Sequence, residues 1–233
     1  MKEYQKYLSV ETLMGPNSLR LLEELLSRFP PVLSKDDIVL DLGCGKGLTT
    51  LAITRETPAK AYACDLWITA EENTQRFAQW GIGDRAVAFH EDANDLHFSK
   101  HLFQALISVD AYHYFAGTRG FFDKKMLPLL KDGAEILIAI PGMKAAYTGQ
   151  AEALLSDWLG NDAYMFKSMT EWRDIIGTHE RIDRVDIWEM DCFESAWNDW
   201  FSTEHEFALS DKPFFETLIR PYTCFIGIRI RLK

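Results

Sequence analysis

Short apolar runs alternate with amphipathic stretches along the first two thirds of the chain. Ile38–Leu42, residues 59–65, residues 86–90, Leu102–Val109 and Glu135–Ile140 read as strands. Between them the spacing predicts helices over 46–56, 69–80 (closed by Gly81) and 120–131 (ending at Gly133). A further helix is predicted over 17–29, capped by Asn17 or Ser18 and stopped by Pro30–Pro31. Strands alternating with helices over 35–140 call for a parallel sheet covered by helices on both faces. Such sheets bind ligands beyond the carboxyl ends of their strands. After residue 141 the pattern changes: two helices over 145–177, a strand over Arg181–Asp191, helices over 194–218 with a break near Pro213, and a last strand over Tyr222–Leu232. We divide the chain into an N-terminal helical segment (1–34), an α/β core (35–141) and additions plus final strands (142–233), all within one domain.

The most informative turn follows the first strand. Val39 to Leu48 reads Val-Leu-Asp-Leu-Gly-Cys-Gly-Lys-Gly-Leu. Glycines 43, 45 and 47 let backbone approach a ligand where a side chain would collide, and the helix that follows offers unpaired N–H groups. A dinucleotide turn has the spacing Gly-x-Gly-x-x-Gly. Here the third glycine comes one residue early, and Asp41 sits where a carboxylate is awkward beside a pyrophosphate but suits an ammonium.

Composition narrows the partners. The 233 residues are 47% hydrophobic, enough for one large α/β domain. No run of about 20 apolar residues spans a bilayer, and residues 1–16 lack a secretory pattern, so a cytosolic enzyme without a membrane partner is expected. The net charge of −10 argues against nucleic acid. Lys124–Lys125 is a short pair, and Arg229 and Arg231 are predicted to share one face of a strand. Cys44, Cys64, Cys192 and Cys224 form no Cys-x-x-Cys pair and read as buried small residues. His97 and His101 have helical i, i+4 spacing but no third ligand, and Phe98 and Ser99 suggest a loop, so no metal is expected.

The pattern Asp-x-Gly-x-Gly-x-Gly over 41–47 resembles the first motif of the class I S-adenosylmethionine-dependent methyltransferases, a resemblance that extends over about residues 35–141. It implies a doubly wound, mostly parallel seven-stranded Rossmann-like sheet whose last strand is antiparallel, here with helical additions after the fifth strand. It also implies S-adenosyl-L-methionine as cofactor. Asp41 and the loop Gly43, Cys44 and Gly45 would hold the methionine moiety. Asp65 would accept from both ribose hydroxyls, Leu66 would contact the cofactor, and Trp67 or Ile68 would lie against the adenine. Asp92 and Ala93 would contact its edge, whereas Asp95 reads as a solvated turn. Asp110 would meet the cofactor mostly through backbone.

On the acceptor side the resemblance points to Tyr112 and His113, with Tyr147, Trp172 and Trp197 as lid candidates. His113 is the candidate general base, because its ordinary pKa lies near neutrality; packing among aromatics is equally open. Gly15–Pro16, following Tyr4 and Tyr7, resembles an N-terminal lid. The expected reaction is methyl transfer to a small-molecule acceptor, with oligomeric state undetermined. A nicotinamide-dependent oxidoreductase, a non-catalytic binder of the same cofactor and a lipid cyclopropane synthase are the rivals. The aromatic additions suit an apolar acceptor pocket. The acids Glu189, Asp191, Glu194, Asp199 and Glu204 would favour a cation there, or form a solvated face.

Overall fold

The computed structural model describes residues 2–233. Seven strands form one sheet: β1 (Ile38–Leu42), β2 (Lys60–Asp65), β3 (Ala86–His90), β4 (Phe103–Val109), β5 (Leu130–Met143), β6 (Ile182–Glu189) and β7 (Thr223–Leu232), in the order β3-β2-β1-β4-β5-β7-β6. The first five strands of that order are mutually parallel, and β7 runs antiparallel to both β5 and β6. The expected doubly wound α/β sheet with an antiparallel last strand is therefore present. Strand order reverses at β1, which pairs with β2 on one side and β4 on the other, and the crevice above these carboxyl ends is the place where such folds take ligands.

Alternation along β1 sorts its side chains between two cores. Val39 packs on the face covered by α1 (Ser18–Arg28) and α2 (Leu48–Glu56), while Leu40 and Leu42 pack on the opposite face. Asn17 caps α1 by accepting from the Leu19 N–H at 3.0 Å. Its amide donates to Asp199 Oδ2 at 2.7 Å, which ties α1 to α6 (Phe193–Phe201). A reciprocal Thr69–Glu72 capping box opens α3 (Ala70–Gln79), as the acid-rich first turn favours.

The additions contain α4 (Ala151–Leu159), α5 (Met169–Ile176) and α7 (Glu206–Asp211) besides α6. The predicted helix over 120–131 is not an α-helix. Phe122–Met126 winds as one wide π turn and Leu127–Leu129 as a 3-10 turn. Pro128 supplies no N–H to continue a regular helix, and β5 begins at Leu130. Residues 97–101 lie in a loop, with His97 near Glu91 and Asp95. Arg229 and Arg231 share a face of β7, and Glu135 pairs with both, at 2.7 and 3.9 Å. All four cysteines are free thiols. No helix among the described residues is long and apolar enough to cross a membrane, and none of their His, Cys, Asp and Glu side chains cluster in a group of three or more that could hold a metal ion.

Candidate functional site

A cavity of about 290 Å³ opens over the carboxyl ends of β1, β2, β3 and β4. The turn after β1 forms its floor. Gly43, Gly45 and Gly47 all adopt positive φ. The Gly43 and Cys44 N–H groups donate to the Cys64 carbonyl at 2.8 and 3.2 Å, which binds this turn to the end of β2. From β2, Asp65 reaches back: its Oδ2 accepts from the Gly45 N–H at 2.7 Å, and its Oδ1 accepts from the Trp67 and Ile68 N–H groups at 2.8 and 2.9 Å. One carboxylate thus organises both the glycine turn and the segment after β2. Three of its roughly four acceptor positions are used, which leaves one on Oδ2.

Gly43, Cys44, Gly45, Asp65, Leu66, Trp67, Asp92, Ala93 and Asp110 all line this cavity. Leu66 and Trp67 form an open apolar rim, 53% and 63% exposed. Asp92 Oδ1 accepts from the Asn94 N–H and side-chain amide, and these bonds hold its carboxyl below the usual carboxylate range.

Asp41 is the exception, and the correction has a simple cause. Alternation places it on the same face of β1 as Val39, under α2. Fully buried, it accepts from Thr49 and Thr50 hydroxyls at 2.8 and 2.6 Å, and it does not line the cavity. Its Oδ1 is buried without a partner. Burial, with a smaller push from Asp65, raises its pKa to about 6 against the two threonine bonds.

This has a measurable consequence. The folded protein binds the Asp41 proton more tightly than the unfolded chain, so the associated stability is full below the unfolded value of 3.8 and lost as pH rises through about 6. The ligand-free protein should lose roughly 1.4 kcal/mol between pH 5 and pH 8 that an Asp41→Asn variant does not lose. Urea melts of both proteins at the two pH values measure the difference; parallel pH dependence would refute it.

The acceptor-side residues lie elsewhere than expected. Tyr112 is core, packed on Phe115, Phe121 and Trp172. Trp172, on α5, is fully buried, and Trp197, on α6, sits among Trp158, Phe193, Phe201 and Phe225. Tyr147 pairs with Tyr222. None of the four lines the cavity. His113 is only 4% exposed and also absent from the lining, with its ring beside Tyr114 and Phe166. Desolvation lowers its pKa to about 3 and its Nδ1 has no partner, so it has little drive to take a proton near neutrality. The lining aromatics from this loop are instead Tyr114 and Phe115.

Two further contributions complete the cavity: the segment around Gly15–Pro16, expected as a lid, and Asn73, which no motif marks. The strap Thr12–Pro16 lies over the cavity, with Met14 Sδ only 3.1 Å from the position a Gly45 Cβ would take. Tyr4 and Tyr7 anchor the strap at a distance and do not close it: Tyr4 donates to Glu56 at 2.7 Å, and Tyr7 packs on Trp80 and accepts from Arg55 at 2.8 Å. Asn73 of α3 supports the floor by donating to the Gly45 carbonyl at 2.9 Å, while Arg76 donates to Asn73. The signal for Asn73 was its place on the face of α3 that also buries Phe77.

Charge defines what this cavity accepts. Asp65, Glu91, Asp92 and Asp110 line it, with Lys46 the single lysine or arginine among the described lining residues. Such a wall repels a pyrophosphate and attracts a cation. Asp110, with φ of +57°, places a half-buried carboxylate at the seam between β4 and the additions. Burial, and next the nearby Asp211 charge, push its pKa up to about 7.

Residues 39–133 match a family described as a methyltransferase domain. No curated protein matches the chain. Among solved structures, geranyl diphosphate C-methyltransferase from Streptomyces coelicolor A3(2), in complex with Mg2+, geranyl diphosphate and S-adenosyl-L-homocysteine, superposes with a TM-score of 0.71 at 17% identity, over 90% of this chain and 77% of that one. Phosphoethanolamine N-methyltransferase 2 of Haemonchus contortus, in complex with S-adenosyl-L-methionine, gives 0.74 at 17% identity, over 94% of this chain and 54% of that one. These likenesses establish a shared fold. The matched segment is less than half of the chain and spans the glycine turn, Asp65, Asp92 and Asp110.

Proposed function

We propose that the protein transfers a methyl group from S-adenosyl-L-methionine to a small-molecule acceptor. The observation that carries this is the acidic cavity at the point of strand reversal, where the turn after β1 and the carboxylate ending β2 are joined by the Gly45–Asp65 hydrogen bond. The free acceptor position on Asp65 Oδ2 is for a ribose hydroxyl. The exposed Leu66–Trp67 rim covers the adenine, Asp92 and the Ala93 N–H meet its edge, and the backbone of Gly43 to Gly45 and of Asp110 holds the methionine end. Bound there, the cofactor supplies a methyl already activated by its sulfonium charge. The chain's own work is alignment and exclusion of water. Holding two reactants in near-attack geometry contributes on the order of 7–11 kcal/mol, and the strap Thr12–Pro16 over the cavity supports exclusion of solvent.

The solved relatives support a small acceptor in that their own names give geranyl diphosphate and phosphoethanolamine as theirs. Isothermal titration should show S-adenosylhomocysteine binding and no NADH binding. Transfer of radiolabelled methyl over a metabolite panel then tests turnover. A protein that binds NADH in preference would overturn the assignment.

A further inference from the structure

The turn after β1 rests on α3 through one polar and one apolar contact. Asn73 and Phe77 stand four residues apart on the buried face of α3. Phe77 packs so close to Gly47 that a Cβ there would lie 2.4 Å from its ring. Asn73 is 1% exposed, and its amide donates to the Gly45 carbonyl at 2.9 Å and to Cys44 Sγ at 3.6 Å. Its Oδ1 accepts from Arg76, three residues along the helix. A guanidinium has donors only. The atom of Asn73 that faces Arg76 must therefore be the oxygen, which turns the amide nitrogen toward the glycines.

Gly45 is gripped from two sides. Asp65 Oδ2 takes its N–H at 2.7 Å, and Asn73 holds its carbonyl. The peptide that joins Gly45 to Lys46 is trans and planar, so the Lys46 N–H points opposite to the Gly45 carbonyl. Asn73 lies behind the turn, outside the cavity lining, whereas Gly45 and Lys46 line it. Drawing the carbonyl toward α3 turns the Lys46 N–H to the other side, that of the cavity. Among the described residues this N–H meets no acceptor, and the Lys46 ammonium makes no hydrogen bond or ion pair. The rest of the wall carries Asp65, Glu91, Asp92 and Asp110, and it repels an anion. At Lys46 alone among the described lining residues does a cation sit beside an unused backbone donor.

We infer that Asn73, aimed by Arg76, is a positioning residue for the cofactor: it presents the Lys46 N–H to the carboxylate of the methionine end, beside the Lys46 ammonium. This rests on the methyl-transfer reading above and assigns the anionic end of the same ligand. A hydrogen bond to a carboxylate is roughly twice as strong as one between neutral groups, so the direction of one peptide weighs on affinity.

Asn73→Asp is the decisive variant. It keeps the shape of the side chain and the bond to Arg76 but has no donor for the Gly45 carbonyl. Two ligands separate positioning from general support: S-adenosylhomocysteine, and its decarboxylated form, which retains the adenosine, the sulfur and the ammonium. Calorimetric titration of Asn73→Asp should show S-adenosylhomocysteine weakened at least tenfold and the decarboxylated ligand weakened less than threefold, which also shows that the variant is folded. Arg76→Met should weaken S-adenosylhomocysteine at least threefold, and Arg76→Lys, again a donor only, less than twofold. An equal loss for the two ligands in Asn73→Asp makes Asn73 a general support of the turn and overturns the inference, as does an unchanged affinity for S-adenosylhomocysteine. A wild type that binds both ligands equally makes no use of the carboxylate and overturns it too. Wild-type affinity in Arg76→Met overturns the aiming role of Arg76. If the wild type binds neither ligand, it is the methyl-transfer reading that fails.

Discussion

Gly43→Ala is expected to abolish measurable S-adenosylhomocysteine binding and to destabilise the fold by roughly 2–5 kcal/mol, the sum of left-handed backbone strain and overpacking. The backbone at Gly43 has φ of +73°, and a Cβ there would lie 2.2 Å from the Ala111 Cβ. Neither partner can yield easily. Gly43 is held by its N–H bond to the Cys64 carbonyl at 2.8 Å, and the loop bearing Ala111 is held by the Asp110 N–H bond to the Ala139 carbonyl at 2.7 Å. Relieving the clash separates the turn after β1 from the loop after β4, the two walls that a ligand must touch together. Gly81→Ala is the control. Its φ of +68° carries similar backbone strain, but nothing lies within 4 Å of the added methyl. That variant should cost on the order of 1 kcal/mol and leave affinity unchanged. Urea melts and calorimetric titration of both variants decide the matter; an unaltered affinity in Gly43→Ala would be fatal to the proposed geometry.

Asp65→Ala should weaken S-adenosylhomocysteine by at least a hundredfold and destabilise the ligand-free protein by about 2–4 kcal/mol, because three N–H groups lose their acceptor at once. The loss exceeds that of a simple sugar contact, since the same side chain holds Gly45, Trp67 and Ile68 in place. Asp65→Asn separates the two roles. An amide has one acceptor oxygen and presents two donors, so it serves either the Gly45 N–H or the Trp67 and Ile68 pair and opposes the other. Most of the affinity should therefore be lost in Asn as well as in Ala. If Asp65→Asn binds like wild type, the carboxylate does not organise the turn.

The strands that build this site were legible because each is an apolar run closed by an acid or a turn. Ile38–Leu42 and residues 86–90 coincide with β1 and β3. Glycine spacing located the floor, and the acids ending successive strands located most of the wall. What failed has identifiable causes. Asp41 was assigned by its motif, but strand alternation turns it under α2, toward Thr49 and Thr50. Tyr112, Trp172 and Trp197 were read as pocket aromatics, yet the additions need large side chains to seal their own contacts with the sheet, and composition does not separate those two uses. Gly15–Pro16 resembles a lid in the sequence, but the strap carries no periodicity, so its extent from Thr12 to Pro16 is not legible there. At 122–129 the helical pattern was present, but Pro128 prevents the ladder from continuing.

The predominance of carboxylates over the lone Lys46 has one more effect, on turnover. Under the methyl transfer proposed above, a sulfonium donor enters this cradle with a positive charge at sulfur, and its spent thioether form has none there. Coulomb attraction to Asp65, Glu91 and Asp92 is therefore strongest before the methyl departs and weaker afterwards. The wall that captures the fresh donor loosens its hold once the donor is exhausted, so release of the used nucleoside is assisted by the same electrostatics that recruited it.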